Sequence, residues 1–178
     1  MDPIVEFYRG DARPNGLRIV DIWEWSFDQL EDAHDYIQWI FPLDSPSAAN
    51  PDAPLLADDT ARAFEWDDVL RDRVQRSLAV MLRFYGLERL VMPDEKIIVI
   101  RAANFQTRRG VWLWPNNHNH LRLTRMLRSL DLLGFPKDAK ALLKCLEDVS
   151  RVEGVDIISS ETLDHWQRAV RSTKSSRR

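Results

Sequence analysis

Apolar residues recur at three- and four-residue spacing between positions 67 and 85, and this periodicity constrains the fold more than any other feature of the sequence. Such spacing places side chains on one face of an α-helix. The residues that share this face are Leu70, Val74, Leu78, Met81, Leu82 and Tyr85. Gly86 follows directly, and glycine readily adopts the left-handed backbone conformation that ends many helices. The sequence therefore predicts a long amphipathic helix from about Asp67 to Tyr85.

Periodicity and capping residues predict six further helices, so the chain is expected to be all-α, an irregular bundle of about seven helices. The predicted segments are residues 3–8, 18–25, 26–41, 117–133, 136–154 and 160–170. The apolar pattern of the third segment is interrupted at His34-Asp35. This segment is therefore either one helix or two helices separated at these residues. Pro3 and Pro136 begin helices at a position where the missing N–H of proline costs nothing. Ser160 is predicted to cap the last helix.

Two stretches interrupt the helical pattern. Residues 43–57 hold three prolines, which remove backbone donors and disfavour helix in the residues before them. We expect an extended loop there. Residues 97–100, Ile-Ile-Val-Ile, are β-branched and follow the turn-forming pair Pro93-Asp94, a pattern typical of a small β-hairpin.

Size, cysteine content and the first residues indicate the class of protein. The chain has 178 residues and one cysteine, Cys145, so one domain without an intramolecular disulfide is expected. The start lacks the basic and apolar regions of a secretory signal, and no apolar run approaches the ~20 residues of a membrane span. These features predict a cytoplasmic protein. Residues 1–155 are expected to form the domain, residues 156–172 a C-terminal helix packed on it, and residues 173–178 a disordered basic tail.

Charge is distributed unevenly along the chain. Residues 21–72 hold fourteen acids and two bases, a net charge of −12, whereas residues 96–130 hold seven bases and no acid. Acidic and basic elements can fold against each other or form solvated faces. Alternatively, one segment presents a charged surface, and the bases from Arg101 to Arg128 bind an anion or a nucleic acid. A nucleic acid is disfavoured because no motif that reads bases is present.

Motifs for covalent or phosphate chemistry are missing from the sequence. The six glycines are isolated, which gives no Gly-rich loop for phosphate, and there is no Gly-x-Ser-x-Gly motif. Cys145 lies within a predicted helix, where a small buried hydrophobe is the ordinary interpretation. We therefore expect no enzymatic activity and no cofactor.

Three histidines leave a metal-dependent enzyme open as an alternative. His118 and His120 lie two residues apart, and His34 lies beside Asp35. On a helix, residues two apart point about 200° from each other, so the pair can share an ion only in a non-helical segment. Such histidines more often cap helices or join hydrogen-bond networks, and we predict no metal site.

The segment Asn116–Arg128 is predicted to begin a helix. Asparagine side chains satisfy the first free amides of a helix, and the helix N-terminus favours an anionic group. Arg122, Arg125 and Arg128 recur every three residues along this helix. They form either a solvated face or a cationic surface. An acidic group of a partner is therefore a candidate ligand at this segment.

Two stretches of the sequence are distinctive when taken together. They are His34-Asp35-Tyr36-Ile37-Gln38-Trp39-Ile40-Phe41-Pro42, here called the first signature segment, and Asn117 to Leu130, the second signature segment. Both resemble the signature stretches of the opioid growth factor receptor conserved domain. Between them, Asn50 to Leu55 and Ser77 to Gly86 resemble the linking loop and central helix of that family in the same order. The similarity covers roughly residues 5 to 150, and strings of this length are more specific than a short motif.

The resemblance implies a mainly helical intracellular domain without enzymatic activity, here as a stand-alone short form. In the animal receptors the domain is linked to binding of the peptide enkephalin, to growth regulation and to nuclear or perinuclear location. The leading hypothesis is a module that binds a peptide or protein between the two signature segments. Its candidate ligand-binding residues are His34, Tyr36, Gln38, Trp39, Asn117, Asn119, Arg122 and Arg125.

The aromatic residues of the first signature segment have two possible roles. Tyr36 and Trp39 follow the acids Glu31, Asp32 and Asp35 closely. Rings beside negative charge can hold a cationic amine. Large rings are also the usual contents of a core, so both roles remain open at the level of sequence.

Overall fold

Ten α-helices and one pair of strands make up the computed structural model, which describes residues 2–48, 50–153 and 155–171. The helices are α1 (Pro3–Arg9), α2 (Ile19–Trp23), α3 (Phe27–Asp32), α4 (Ile37–Ile40), α5 (Asp58–Trp66), α6 (Asp68–Tyr85), α7 (Phe105–Arg108), α8 (Asn119–Leu132), α9 (Pro136–Val152) and α10 (Ser160–Arg171). A 3-10 turn follows α7 at Arg109–Val111, and strands β1 (Leu87–Val91) and β2 (Ile97–Arg101) pair antiparallel. The fold is mainly helical with a small hairpin, which confirms the predicted class.

The number of helices differs from the predicted seven for identifiable reasons. The third predicted helix is divided at His34-Asp35 into α3 and α4. Helices α5 and α7 are additional, with nine and four residues, too short to show several repeats of an apolar period. The cap of α10 is Ser159, whose Oγ accepts the Thr162 amide at 3.1 Å, and not Ser160, which is the first helical residue.

The chain divides into two compact units, Met1–Val80 and Met81–Arg178, with the boundary inside α6. In the first unit, aromatic side chains of α1 form much of the core. Phe7 meets the Trp39 ring edge to face, with centroids 5.3 Å apart. Tyr8 meets Phe64 in the same way at 4.9 Å, and its hydroxyl donates to the Ile40 carbonyl at 2.6 Å. Burial raises the pKa of this hydroxyl, so it stays protonated and holds α1 to the end of α4.

In the second unit, α8 packs against α9 and α10, and the hairpin strand β2 lies along α9. Two ion pairs fasten the hairpin side of the unit to the two ends of α9. Arg89 of β1 donates from Nε to Asp138 Oδ1 at 2.5 Å near the start of α9. Arg101 of β2 pairs with Glu153, which directly follows α9.

A glycine is required where α6 turns into β1. Gly86 has a φ of 76°, and a Cβ atom built there would lie 2.7 Å from the Cα atom of Phe105. The sequence prediction of Gly86 as the residue beyond the helix end is therefore confirmed. Glycine is required at position 86 for a second reason as well, because the two backbones approach each other closely here.

The remaining segments are the proline-rich loop and the C-terminal tail. Residues 43–48 and 50–57 form no helix or strand, which confirms the predicted loop. Residues 173–178, predicted to be a basic tail, lie outside the described residues. None of the helices formed by the described residues has both the length and the apolar character that crossing a membrane requires.

Candidate functional site

The first signature segment lies mostly in the interior of the first unit. Tyr36, Gln38 and Trp39 are 0, 3 and 9% exposed, respectively. The Tyr36 hydroxyl donates to the Leu30 carbonyl at 2.9 Å. His34, by contrast, lies at the surface. The aromatic residues of this segment therefore occupy the core, and the surface next to them is formed by other side chains.

A shallow groove of about 460 Å³ lies beside the first signature segment, within the first unit. We call it the Trp25 groove, and the side chains that give it its chemical character are Arg13, Asn15, Asp21, Trp25 and Asp35. Only Asp35 belongs to the signature segment. The others come from the loop before α2, from α2 itself and from the residues just after it.

Arg13 forms one wall of the groove although its side chain is only 3% exposed. Its Nη1 and Nη2 atoms donate to the backbone carbonyl and to Oδ2 of Asp35 at 2.9 and 2.8 Å. Its Nε atom donates to Asn15 Oδ1 at 3.0 Å, and the guanidinium lies 5.8 Å from the centre of the Trp39 ring. Such multiple contacts fix a planar guanidinium well. Arg13 therefore holds the exposed Asp35 carboxylate in one position.

Trp25 supplies a half-buried ring to the groove. The buried Tyr36 ring contacts it edge to face with centroids 5.2 Å apart, so the core fixes the orientation of a ring that solvent reaches. No local motif marks Trp25 in the sequence. Its contact with Tyr36, eleven positions away, and its partial exposure follow only from the fold.

Asp21 adds a second carboxylate to the groove. The Arg18 side chain and backbone N–H both donate to it, at 2.9 and 3.0 Å for the closest contact of each. These hydrogen bonds hold the pKa of Asp21 below its usual value, so it is ionised at neutral pH. Asp21 and Asp35 therefore both line the groove with Trp25, each as a carboxylate that is paired with an arginine.

The second signature segment forms a buried hydrogen-bond network in the second unit. Asn117 Oδ1 accepts the Asn119 amide at 2.7 Å, which confirms that an asparagine satisfies a first free amide of α8. The side chain of Asn119 is fully buried. Its Oδ1 accepts from the Tyr85 hydroxyl at 3.1 Å and from Arg122 Nη1 at 3.4 Å, and its Nδ2 donates to the Val111 carbonyl at 3.2 Å.

His120 extends this network and is not available as an exposed metal ligand. It is 6% exposed, its Nε2 lies 2.8 Å from the Trp112 carbonyl oxygen, and its ring meets Trp166 edge to face at 5.9 Å. Burial lowers the pKa of His120, so the neutral ring donates from Nε2. Within the described ranges, no three His, Cys, Asp or Glu side chains come together as a metal-binding group. The alternative that uses His34, His118 and His120 thus finds no ligand cluster there.

Several cations of residues 96–130 make internal contacts. Arg101 and Arg109 both pair with Glu153, and Arg108 donates to the Phe84 carbonyl at 2.8 Å. Arg122 is 6% exposed, so the interpretation of its side chain as part of a solvated face is wrong. Burial lowers the pKa of Arg125. A run of bases in the sequence is therefore not a uniform basic surface here.

Comparison with known proteins identifies close sequence relatives. The family model described as the opioid growth factor receptor (OGFr) conserved region matches residues 4–178. Identity to the opioid growth factor receptor is 35% over 174 residues in Mus musculus and 35% over 176 residues in Homo sapiens. These alignments cover 94 and 95% of this chain but 27 and 25% of the two relatives.

A second group of relatives is more distant. The chain is 29% identical over 180 residues to opioid growth factor receptor-like protein 1 of Mus musculus, which covers 98% of the chain and 38% of that protein. The chain therefore spans well under half of the length of the relatives it matches. No solved structure matches it significantly.

Proposed function

Because this chain belongs to the opioid growth factor receptor family, we propose that it is a non-catalytic module that binds a peptide ligand in the Trp25 groove. The observation that carries this proposal is the combination of the half-buried Trp25 ring with two carboxylates, Asp21 and Asp35, in one groove. Rings and carboxylates together favour a ligand with a positive amino group beside an apolar side chain. A cytoplasmic location is part of the proposal.

The lining of the groove supports binding rather than catalysis. Among the described lining residues there is no serine, cysteine or histidine, the side chains that most often serve as nucleophile or general base. Asp21 and Asp35 are each engaged by an arginine, which fixes the position of each carboxylate in the groove. Arg13 acts as a positioning residue because it holds Asp35.

The residues predicted from sequence have different parts in this proposal. Tyr36 and Trp39 are buried and do not line the groove. Tyr36 supports the lining residue Trp25, and Trp39 supports the lining residue Arg13. His34 is an exposed neighbour of the groove residue Asp35. In the second signature segment, Asn117, Asn119 and Arg122 are buried and Arg125 is half-buried. Binding of an acidic group at this segment stays a prediction.

Titration of enkephalin, the peptide that the family resemblance implies, into the purified chain tests the proposal. We expect saturable binding by calorimetry that weakens roughly three- to fivefold in Asp35→Asn, as for one exposed ion pair. Trp25→Leu is expected to weaken it by a similar factor, through loss of the cation–ring contact. Asp52→Asn in the exposed part of the proline-rich loop is the matched control and is expected to bind as the parent does.

Two results would count against the proposal. The first is binding that Asp35→Asn, Trp25→Leu and Asp52→Asn all leave unchanged. The second is binding that all three weaken equally, because that would indicate a diffuse electrostatic attraction and not a site. Circular dichroism of each variant shows that the fold is retained.

A further inference from the structure

A second groove, of about 350 Å³, lies in the second unit between α9 and α10. Its apolar surface is formed by Ile158, which is 7% exposed, and by the half-buried Leu163. Val155 also lines it and is 63% exposed. Apolar surface that stays accessible in a concave site is a common feature of places where a partner side chain docks.

The two helices and their connection give this groove a defined shape. The Gln167 side chain donates from Nε2 to Glu147 Oε1 at 2.7 Å and bridges α10 to α9. In the connection between the helices, Asp156 adopts a φ of 65°, a left-handed conformation that only a few residue types adopt readily. The groove is therefore bounded by a side-chain bridge and by a sharp turn.

The charged groups that line this groove are not balanced. Glu147 and Asp156 contribute carboxylates, and no described residue forms an ion pair with either of them. Arg151 is the one base among the described lining residues. It pairs with Asp148 at 3.2 Å, a residue that is not part of the lining. Among the described lining residues, two carboxylates thus face one base beside an apolar floor.

We propose that this groove docks a segment of another protein that presents one large apolar side chain next to a lysine or an arginine. The apolar side chain lies over Ile158 and Leu163, and the cation is attracted by Glu147 and Asp156. The volume accommodates a single large side chain, so the contact is small and the complex short-lived. This inference concerns the second unit and does not depend on the Trp25 groove.

The test uses the full chain labelled with ¹⁵N and the blocked peptide acetyl-Lys-Phe-Arg-amide as probe. We expect shifts of amide resonances confined to residues 147–167, with an affinity in the millimolar range. The peptide acetyl-Glu-Phe-Glu-amide keeps the ring and reverses the charge. It is expected to bind roughly tenfold more weakly or not at all.

Conservative variants separate the two contributions. Glu147→Gln preserves a side-chain oxygen for the Gln167 bridge, and Asp156→Asn tolerates the left-handed backbone. Each is expected to weaken the basic peptide roughly threefold, and both together roughly tenfold. Val155→Ser removes exposed apolar surface and is expected to weaken both peptides. The matched control is Glu161→Gln, whose side chain is 86% exposed and does not line the groove.

The proposal is overturned if the basic peptide shifts resonances elsewhere, or if Glu161→Gln weakens its binding as much as Glu147→Gln. It is also overturned if the chain self-associates in sedimentation experiments and Val155→Ser abolishes that association without affecting the peptide. That result would assign the groove to a second copy of the chain.

Discussion

The two signature segments stabilise their respective units by different physical means. The first contributes large rings: Tyr36 and Trp39 are almost fully buried and contact other aromatic residues. The second contributes polar groups, because Asn119 and His120 are buried and bonded to backbone carbonyls. Removal of a ring leaves a cavity, whereas removal of an amide leaves unpaired buried donors and acceptors. A string of sequence typical of a family can therefore report packing in one place and hydrogen bonding in another.

The largest effect is expected for loss of a ring from the first signature segment. Tyr36→Ala should lower the free energy of unfolding by about 3–5 kcal/mol, since it removes a fully buried aromatic side chain. Urea denaturation measures this. Trp66→Ala, at an 83% exposed ring of the same unit, should change stability by less than about 0.5 kcal/mol. Equal losses in the two variants would show that Tyr36 is not a core residue.

A smaller loss is expected in the second signature segment. Asn119→Ala removes the hydrogen bonds from the Tyr85 hydroxyl to Asn119 and from Asn119 to the Val111 carbonyl, which also accepts from Asn117. Their loss should cost about 1–3 kcal/mol in the same assay. The control is Asn116→Gly, at an exposed residue with a φ of 57° that suits glycine. If Asn119→Ala lowers the free energy of unfolding by less than the control does, buried hydrogen bonds do not stabilise the second signature segment.

Acidification should affect the second segment specifically. Burial lowers the pKa of His120, against the opposing hydrogen bond to the Trp112 carbonyl. The folded state therefore binds fewer protons than the unfolded chain, and stability is full above the ordinary histidine pKa and falls as the pH decreases below it. The slope attributable to this group is at most about 1.4 kcal/mol per pH unit.

Unfolding free energies measured over a pH series in His120→Asn test this directly. The variant should lose that part of the pH dependence, whereas His165→Asn, at an exposed helical position, should keep it. If both variants retain the parent profile, His120 is not the group that titrates.

The smallest effect is expected at the exposed side of the second signature segment. Leu121 is 74% exposed on α8, so Leu121→Ala should change stability by less than about 0.5 kcal/mol. Leu123, two residues further on, is fully buried, and Leu123→Ala should cost about 2–5 kcal/mol. Similar costs at both positions would mean that the two faces of α8 are wrongly assigned.

Local sequence patterns predict the long elements of this fold well. Helix α6 follows from an apolar spacing that repeats over many positions, and the hairpin follows from four consecutive β-branched residues after a turn. Helix α4 shows the limit of this reasoning. All four of its residues, Ile37 to Ile40, are buried, so a four-residue helix has no exposed face from which an orientation could be deduced.

The Trp25 groove could not be derived from sequence because it depends on contacts between distant positions. Arg13 and Asp35 are 22 residues apart, and no periodic pattern relates a loop residue to a residue between two helices. From sequence alone, the rings nearest to the acids, Tyr36 and Trp39, are the expected contacts of a ligand. In the structure Tyr36 and Trp39 are buried, and Trp25, which contacts Tyr36, is the ring that lines the groove.

The close approach at Gly86 limits how the chain can vary. Even alanine would meet both an unfavourable backbone angle and a neighbouring main-chain atom, and a main chain cannot rotate out of the way as a side chain can. A saturation library sorted for folded protein should therefore return a single amino acid at position 86. Cassette exchange or circular permutation of the chain should avoid this junction.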